Sequence, residues 1–264
     1  MAEITTKTLR NVALLGHGGS GKTSLAEAFL YMAKASDRLG KISDGNTVCD
    51  FDAEEIKRKF SISLSVANLT WNDIKINLID SPGFLDFEGE VKETVRVSDA
   101  AIITVDAKAG LETGTELAWD NAVEAGIPRI FFINKYDDPE ADFERVFSEL
   151  KSKFGINVCP VFIPIKKDGE FRIIDLIELK AYAYDEKGNR SIHELREDYT
   201  KIAQSYMDSL NEAVAETSEE LLDKYFAGEE ITKEEKIEAL HQGIITGSIV
   251  PIYCGSATKL WGIR

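Results

Sequence analysis

Apolar positions along this chain switch between short continuous runs and helical spacing. Residues 10–15 end in the run Val12-Ala13-Leu14-Leu15, and 22–34 carry Leu25, Ala26, Ala28, Phe29 and Leu30 at helical intervals, so a buried strand and a helix are predicted. Residues 36–60 break the rhythm. They are polar, glycine-containing and highly charged, the profile of a functional or mobile loop. Period-two alternation at Ile62, Leu64 and Val66, then at Ile74, Ile76 and Leu78, with Asn72-Asp73 between, predicts a β-hairpin over 61–78. A short helix over 88–96 follows. Ala100 to Val105 is a near-continuous apolar strand, as in parallel sheets buried on both faces. Helix 113–125, ended by Gly126, strand 128–133 and helix 139–154 complete the series. Strands alternating with helices place the chain in the α/β class, with a mainly parallel central sheet flanked by helices.

Beyond residue 157 the pattern changes. Residues 161–165 and 171–176 read as short strands, and Ile192, Leu195, Tyr199, Ile202, Tyr206 and Leu210 recur at helical spacing. Thr217 to Glu220 and Thr232 to Glu235 have the capping-box spacing that opens helices. Residues 158–249 therefore read as an inserted α+β subdomain, and 249–253 as a closing strand.

Charge adds to this picture. The 264 residues carry a net charge of −15, and residues 166–242 hold 11 Lys and Arg against 20 Asp and Glu, so the inserted part is the acidic one. No basic cluster appears, and direct sequence-specific nucleic acid binding by this chain is not expected. Cys49, Cys159 and Cys254 are isolated, which fits core filling in a reducing cytoplasm rather than a disulfide framework or a zinc site. No apolar run approaches the roughly 20 residues of a membrane span. Met1 to Lys7 lacks the apolar centre of a secretory signal. A cytoplasmic monomer with no membrane association is expected.

The candidate chemistry begins at Gly16-His17-Gly18-Gly19-Ser20-Gly21-Lys22-Thr23, followed by Ser24, between the first strand and the first helix. This is the phosphate-loop pattern in its required context. Its glycines let backbone N–H groups surround phosphate oxygens, and the helix N-terminus adds partial positive charge. Lys22 is expected to reach the β- and γ-phosphates, and Thr23 to ligate Mg²⁺. Asp80, ending a strand before Ser81-Pro82-Gly83, is the expected second Mg²⁺ contact, and the Gly83 amide faces the γ-phosphate. Asn134-Lys135-Tyr136-Asp137 follows the 128–133 strand. A carboxylate at Asp137 accepts from N1–H and the 2-amino group of guanine, which adenine cannot offer. Asn134 bonds the base edge, and the Lys135 stem packs over the ring. Ser256-Ala257 is placed to supply a backbone N–H for the guanine oxygen. Together these select GTP and GDP over ATP, against an ATP-dependent kinase or transporter.

With these motifs in order, the sequence resembles the ribosomal elongation factor G, among the translational GTPases. The resemblance is carried by 16–23, by Asp80-Ser81-Pro82-Gly83-Phe84-Leu85-Asp86-Phe87-Glu88-Gly89-Glu90-Val91, by Asn134-Lys135-Tyr136-Asp137 with Ala141-Asp142-Phe143, by Asp175-Leu176-Ile177-Glu178 and Lys180-Ala181-Tyr182, and by 249–257. It covers essentially the whole chain, and an insert before the last guanine motif is its most family-specific feature. It implies that 1–157 and 250–264 form the GTP-binding domain I of a five-domain translocation factor, with the downstream domains absent from this chain. It further implies switches at 36–61 and 80–97, an Mg²⁺-binding hydroxyl at Ser61, action on the ribosome, and docking of a ribosomal stalk protein on the insert. Two positions depart from the family. Phe84 stands where most members have the histidine that positions or polarises the attacking water, and Gly19 stands where most have an aspartate. Both point to a divergent branch. The rival expectations are a ribosome-associated GTP-binding regulator with little hydrolysis, and a ribosomal protection or release factor. His17 is expected to pack the loop, and His193 and His241 to lie on helix surfaces.

Overall fold

The computed structural model describes residues 4–167, 170–185 and 187–263; Met1–Glu3 and Arg264, on which the readings of the chain ends partly rest, lie outside them. The strands are β1 (Leu9–Leu15), β2 (Ser65–Trp71), β3 (Ile74–Asp80), β4 (Ala100–Asp106), β5 (Arg129–Asn134), β6 (Val158–Pro160), β7 (Phe162–Lys167), β8 (Glu170–Asp175), β9 (Lys180–Tyr184), β10 (Arg190–Glu194) and β11 (Val250–Cys254). The helices are α1 (Lys22–Met32), α2 (Ala53–Arg58), α3 (Glu88–Val97), α4 (Thr113–Glu124), α5 (Phe143–Phe154), α6 (Glu197–Ala215), α7 (Glu219–Ala227) and α8 (Lys233–Thr246).

Seven strands form one sheet in the order β2-β3-β1-β4-β5-β11-β6, parallel throughout except for the β2–β3 hairpin. Burial on both faces explains the continuous apolar runs. Ala13 and Leu15 of β1 pack into one core cluster and Leu14 into the other, and Phe131 and Phe132 of β5 divide in the same way. Register decides where the functional loops emerge. Leu14 pairs with Asp80, Asp106 with Asn134, and Cys254 with Ile133. The loops after β1, β3, β5 and β11 therefore leave the same edge of the sheet, the carboxyl edge where open α/β sheets bind ligands. A second, antiparallel sheet has the order β10-β9-β8-β7, and α6, α7 and α8 follow it in the chain. The α/β class with a mainly parallel, helix-flanked sheet thus holds. Among the described residues, no helix is long and apolar enough to cross a membrane.

Several local expectations need correction. The β2 alternation runs in the opposite phase: Ser65, Ala67 and Leu69 are buried, and Val66 is 58% exposed. Both phases offer apolar residues, and pairing with β3 chooses between them. A capped helix, α2, interrupts the polar 36–60 stretch; Asp52 and Glu55 form a reciprocal capping box. Helix α5 begins at Phe143 rather than at 139, with the Asp142 side chain accepting the Arg145 N–H as the cap. Ile192 and His193 lie on β10, so their helical spacing with Tyr199 is fortuitous and α6 starts only at Glu197. Ser218 caps α7, whereas the Thr217 hydroxyl donates back to the Val214 carbonyl. Thr232 and Glu235 do form a capping box. Residues 158–160, counted with the insert, make an edge strand of the large sheet, and the second sheet starts at Phe162. All three cysteines are buried and free.

Candidate nucleotide site

The loop after β1 needs its glycines. Gly16 has φ +133°, and a Cβ there would collide with the Thr104 carbonyl; Gly21 has φ +97°, and its Cβ would collide with the Asn134 amide. Lys22, the first residue of α1, is 6% exposed. Its Nζ donates to the Gly16 and His17 carbonyls, both at 2.9 Å, and no carboxylate pairs with it among the described residues. Burial pulls its pKa down to about 8, against the opposing fields of Asp80 and Asp50. A buried ammonium with one uncommitted N–H is matched to an anion.

Beside it, four oxygen-bearing side chains converge. The Thr23 hydroxyl donates to Asp80 Oδ2 at 2.7 Å, and the Ser61 hydroxyl donates to Asp50 Oδ1 at 2.7 Å. The two hydroxyl oxygens lie 3.2 Å apart. That is hydrogen-bond distance, and either hydroxyl can be the donor. Asp80 Oδ1 and Asp50 Oδ2 are buried without hydrogen-bond partners. Burial raises the Asp80 pKa to about 7 despite the Thr23 hydrogen bond and Lys22, and burial also raises that of Asp50. Four oxygen donors, two of them orphaned carboxylate atoms, fit a hard divalent cation. Asp50 had no local sequence signal; it is one acidic residue among several in 36–60.

Ser61 reaches this cluster because three carboxylates hold its segment in place. Glu27 accepts the N–H groups of Gly40 and Val48, Glu55 those of Ile62 and Ser63, and Glu90 that of Leu64. After β3, Gly83 passes so close that a Cβ would collide with Lys22 Nζ and approach Gly18 N. Phe84 follows, 41% exposed. Its ring meets Phe60 at a centroid distance of 4.7 Å and lies over Gly18, where a Cβ would sit 3.1 Å from it. A Cβ on Gly19 would meet nothing within 4 Å, but φ is +85° there. His17 turns away from the loop centre: its Nδ1 accepts from Gly114 N–H at 3.2 Å, and its Nε2 lies 3.4 Å from Glu112. Ser20 Oγ is buried without a partner. A cavity of about 230 Å³ is bounded by Gly18–Gly19, Gly21–Ser24, Lys59–Ser61, Gly83–Phe84 and Lys135.

The end expected to take the base is assembled from the loops after β5 and β11. Asn134, 2% exposed, donates to the Ser20 carbonyl at 3.1 Å and accepts from Ala257 N–H at 3.0 Å, tying three loops together. The Ala257 N–H expected to meet a guanine oxygen is thus already bonded, and the Ser256 N–H goes to Trp261 O at 3.0 Å. A base oxygen would share or displace the first bond. Lys135, at φ +69°, pairs with Asp106 at 2.7 Å. Burial pushes the Asp106 carboxyl upward, but the Lys135 hydrogen bond and the Lys108 and Ala109 N–H groups outweigh it and hold the pKa below the usual range. Asp137 is exposed, and its Oδ1 accepts from Ser256 Oγ at 2.5 Å.

A strand–glycine loop–helix unit, an aspartate-ended neighbouring strand and an Asn-Lys-x-Asp loop on one sheet edge are the arrangement of a P-loop GTPase. The model of the Elongation factor Tu GTP binding domain family matches residues 7–264. A solved structure of a protein from Thermus thermophilus superposes with a TM-score of 0.87 at 34% identity. That match covers 96% of this chain and 38% of the other, so this chain spans well under half of that protein's length. The chain therefore belongs to the elongation factor Tu GTP-binding domain family, the nucleotide-binding domains of translational GTPases.

Proposed function

We propose that this chain is the GTP-hydrolysing switch domain of an elongation factor G-like translation factor acting on the ribosome. The nucleotide-binding part comprises 1–157 and 250–264, and 158–249 is the acidic insert, with β6 remaining in the larger sheet. Further domains lie outside this chain, and the greater length of the Thermus relative supports that. The observation that carries the proposal is Ser61. A residue 38 positions from Thr23 is held 3.2 Å from it by a segment whose ends are tied by the carboxylates of Glu27, Glu55 and Glu90. Such a segment is ordered by what binds at the cluster and released when that is lost.

Thr23, Ser61, Asp80 and, through Asp50, a second carboxylate would hold Mg²⁺, which supplies charge neutralisation for a transferring phosphoryl group. Lys22 and the loop N–H groups bind the phosphates of GTP, Gly83 N–H faces the terminal one, and Asp137 reads guanine. Water attacks the γ-phosphorus and GDP leaves. Phe84 has neither donor nor acceptor to orient that water, so turnover by the isolated domain is slow. The acidic insert is the proposed contact for a ribosomal stalk protein, and the protein works as a cytoplasmic monomer. A second reading, a ribosome-associated regulator that barely hydrolyses GTP, is favoured by the Phe60–Phe84 contact over Gly18, which places apolar surface where the family histidine works.

Single-turnover GTP hydrolysis by the full-length protein, with and without ribosomes, separates the two. Ribosome stimulation of roughly 10²-fold or more is expected, and Phe84→His is expected to raise the stimulated rate by a similar factor, the scale of a positioned acid–base group. No stimulation of the native protein would leave the regulator.

Charge at the site also predicts a pH dependence. The folded-state pKa of Asp80 lies near 7, above its unfolded value near 3.8, so the unfolded state releases the proton first. Stability of the ligand-free chain is therefore expected to fall as pH rises from about 4 to 7. The Lys22 contribution is flat below about 8 and favours folding only as pH rises beyond that. Thermal unfolding across pH 4–7 should show the Asp80 slope in the ligand-free chain and lose it in Asp80→Asn. A slope unchanged by that substitution would contradict the assignment.

A further inference from the structure

One ring connects the second sheet to the base end of the nucleotide site. Phe171 of β8 stacks on Trp261, with centroids 4.4 Å apart and planes 18° from parallel. Among the described residues its other aromatic neighbour is Tyr136, at 6.0 Å and 29°. Tyr136 is 4% exposed and stands between Lys135 and Asp137. Trp261 exchanges two backbone hydrogen bonds with Ser256, each 3.0 Å. The Phe171 ring therefore touches one residue in each of the two loops that face the base. Those loops are otherwise joined by polar contacts, including Tyr136 N–H to the Gly255 carbonyl at 3.1 Å and Ser256 Oγ to Asp137 at 2.5 Å. Tyr136 and Ser256 are buried but Asp137 is exposed, so water competes for the Ser256–Asp137 bond. A stack of three large rings adds contact that water cannot replace.

We propose that Phe171 and Trp261 are positioning residues for guanine recognition. They clamp the loop of Asp137 to the loop of Ser256-Ala257 at one separation, and so set base selectivity and the rate of nucleotide release. The proposal rests on the assignment of these two loops to guanine. Selectivity for the 2-amino group depends on where the Asp137 carboxylate sits. A loosened loop pair relaxes around a base that lacks this group, so the penalty for hypoxanthine shrinks. The clamp also gives the inserted segment a direct route to the nucleotide, because β8 is an interior strand of its sheet and carries the ring.

The test is Phe171→Ala in the full chain, read by mant-GDP release and by competition between GDP and IDP, whose base lacks the 2-amino group. Release is expected to accelerate by about tenfold, with a several-fold drop in the GDP-to-IDP preference. Phe171→Tyr, which keeps the ring, should restore both. Should Phe171→Ala fail to fold by circular dichroism, Trp261→Leu breaks the same stack and leaves the Ser256–Trp261 backbone pair in place, with the same expectation. A lowered melting temperature with unchanged release and unchanged preference would overturn the proposal. A native chain that prefers GDP to ADP while Phe171→Ala matches it also overturns the proposal and leaves the guanine reading standing. A native chain with no preference for GDP over ADP removes both.

Discussion

Lys22→Ala is expected to weaken GDP and GTP binding by roughly 10²–10³-fold or more, the cost of removing one partner from a buried charge-assisted contact. The magnitude follows from the desolvation of the ammonium. It is 6% exposed, and burial brings its pKa down to about 8, so the ligand-free fold carries a cation with only two carbonyl acceptors. A phosphate oxygen relieves that state, and alanine removes both the desolvated charge and its attraction for the phosphate. Binding should therefore collapse while the ligand-free melting temperature changes little. Mant-GDP titration with circular dichroism on the same samples reads both quantities. Unchanged affinity would remove the phosphate-loop assignment, and loss of the fold would show that the lysine is structural.

The second large effect is a change of base. In Asp137→Asn an amide donor meets the N1–H and 2-amino donors of guanine. Xanthine instead carries a carbonyl at position 2, which that amide can bond. The ratio of GDP to XDP affinity is expected to fall by roughly 10³-fold, in line with the cost of unpaired polar groups in a site built for specific hydrogen bonds. Asp137 Oδ1 accepts from Ser256 Oγ at 2.5 Å and Oδ2 from Thr258 Oγ1 at 3.4 Å, so the base's donors meet the remaining lone pairs. Competition titrations with GDP and XDP decide the matter; an unchanged ratio would place the base elsewhere.

The placement of these two residues was legible because their signals are local. Lys22 sits at a fixed spacing from Gly16 and Gly21, between a strand and a helix, and Asp137 at a fixed spacing after a strand. The parallel sheet was legible for a related reason: strands buried on both faces must be continuously apolar. Long-range partnership is what stayed hidden. Val66 fits an apolar alternation, yet pairing with β3 turns it outward. Asp50, Glu27, Glu55 and Glu90 look like ordinary surface acids in sequence. Their work is to accept hydroxyl and backbone donors from the 40–64 segment, which only the fold brings to them. Ser61 was indicated by family resemblance alone. Phe171 gave no sign of packing against both the loop of Tyr136 and that of Trp261, because these partners lie 35 positions before it and 90 after it. The mis-set start of α6 has the same origin. Spacing alone cannot distinguish Ile192 on a strand from a residue one turn before a helix.

The most direct measurement is nucleotide competition on the native chain. A bound fluorescent GDP analogue, in Mg²⁺, is challenged with GTP, GDP and ATP, and again after chelation of the metal. The predicted result is displacement by GTP and GDP at stoichiometric concentrations, an ATP effect weaker by roughly 10⁴-fold, and faster release once Mg²⁺ is removed. Displacement by ATP as readily as by GTP, with no dependence on Mg²⁺, would contradict a guanine-nucleotide switch.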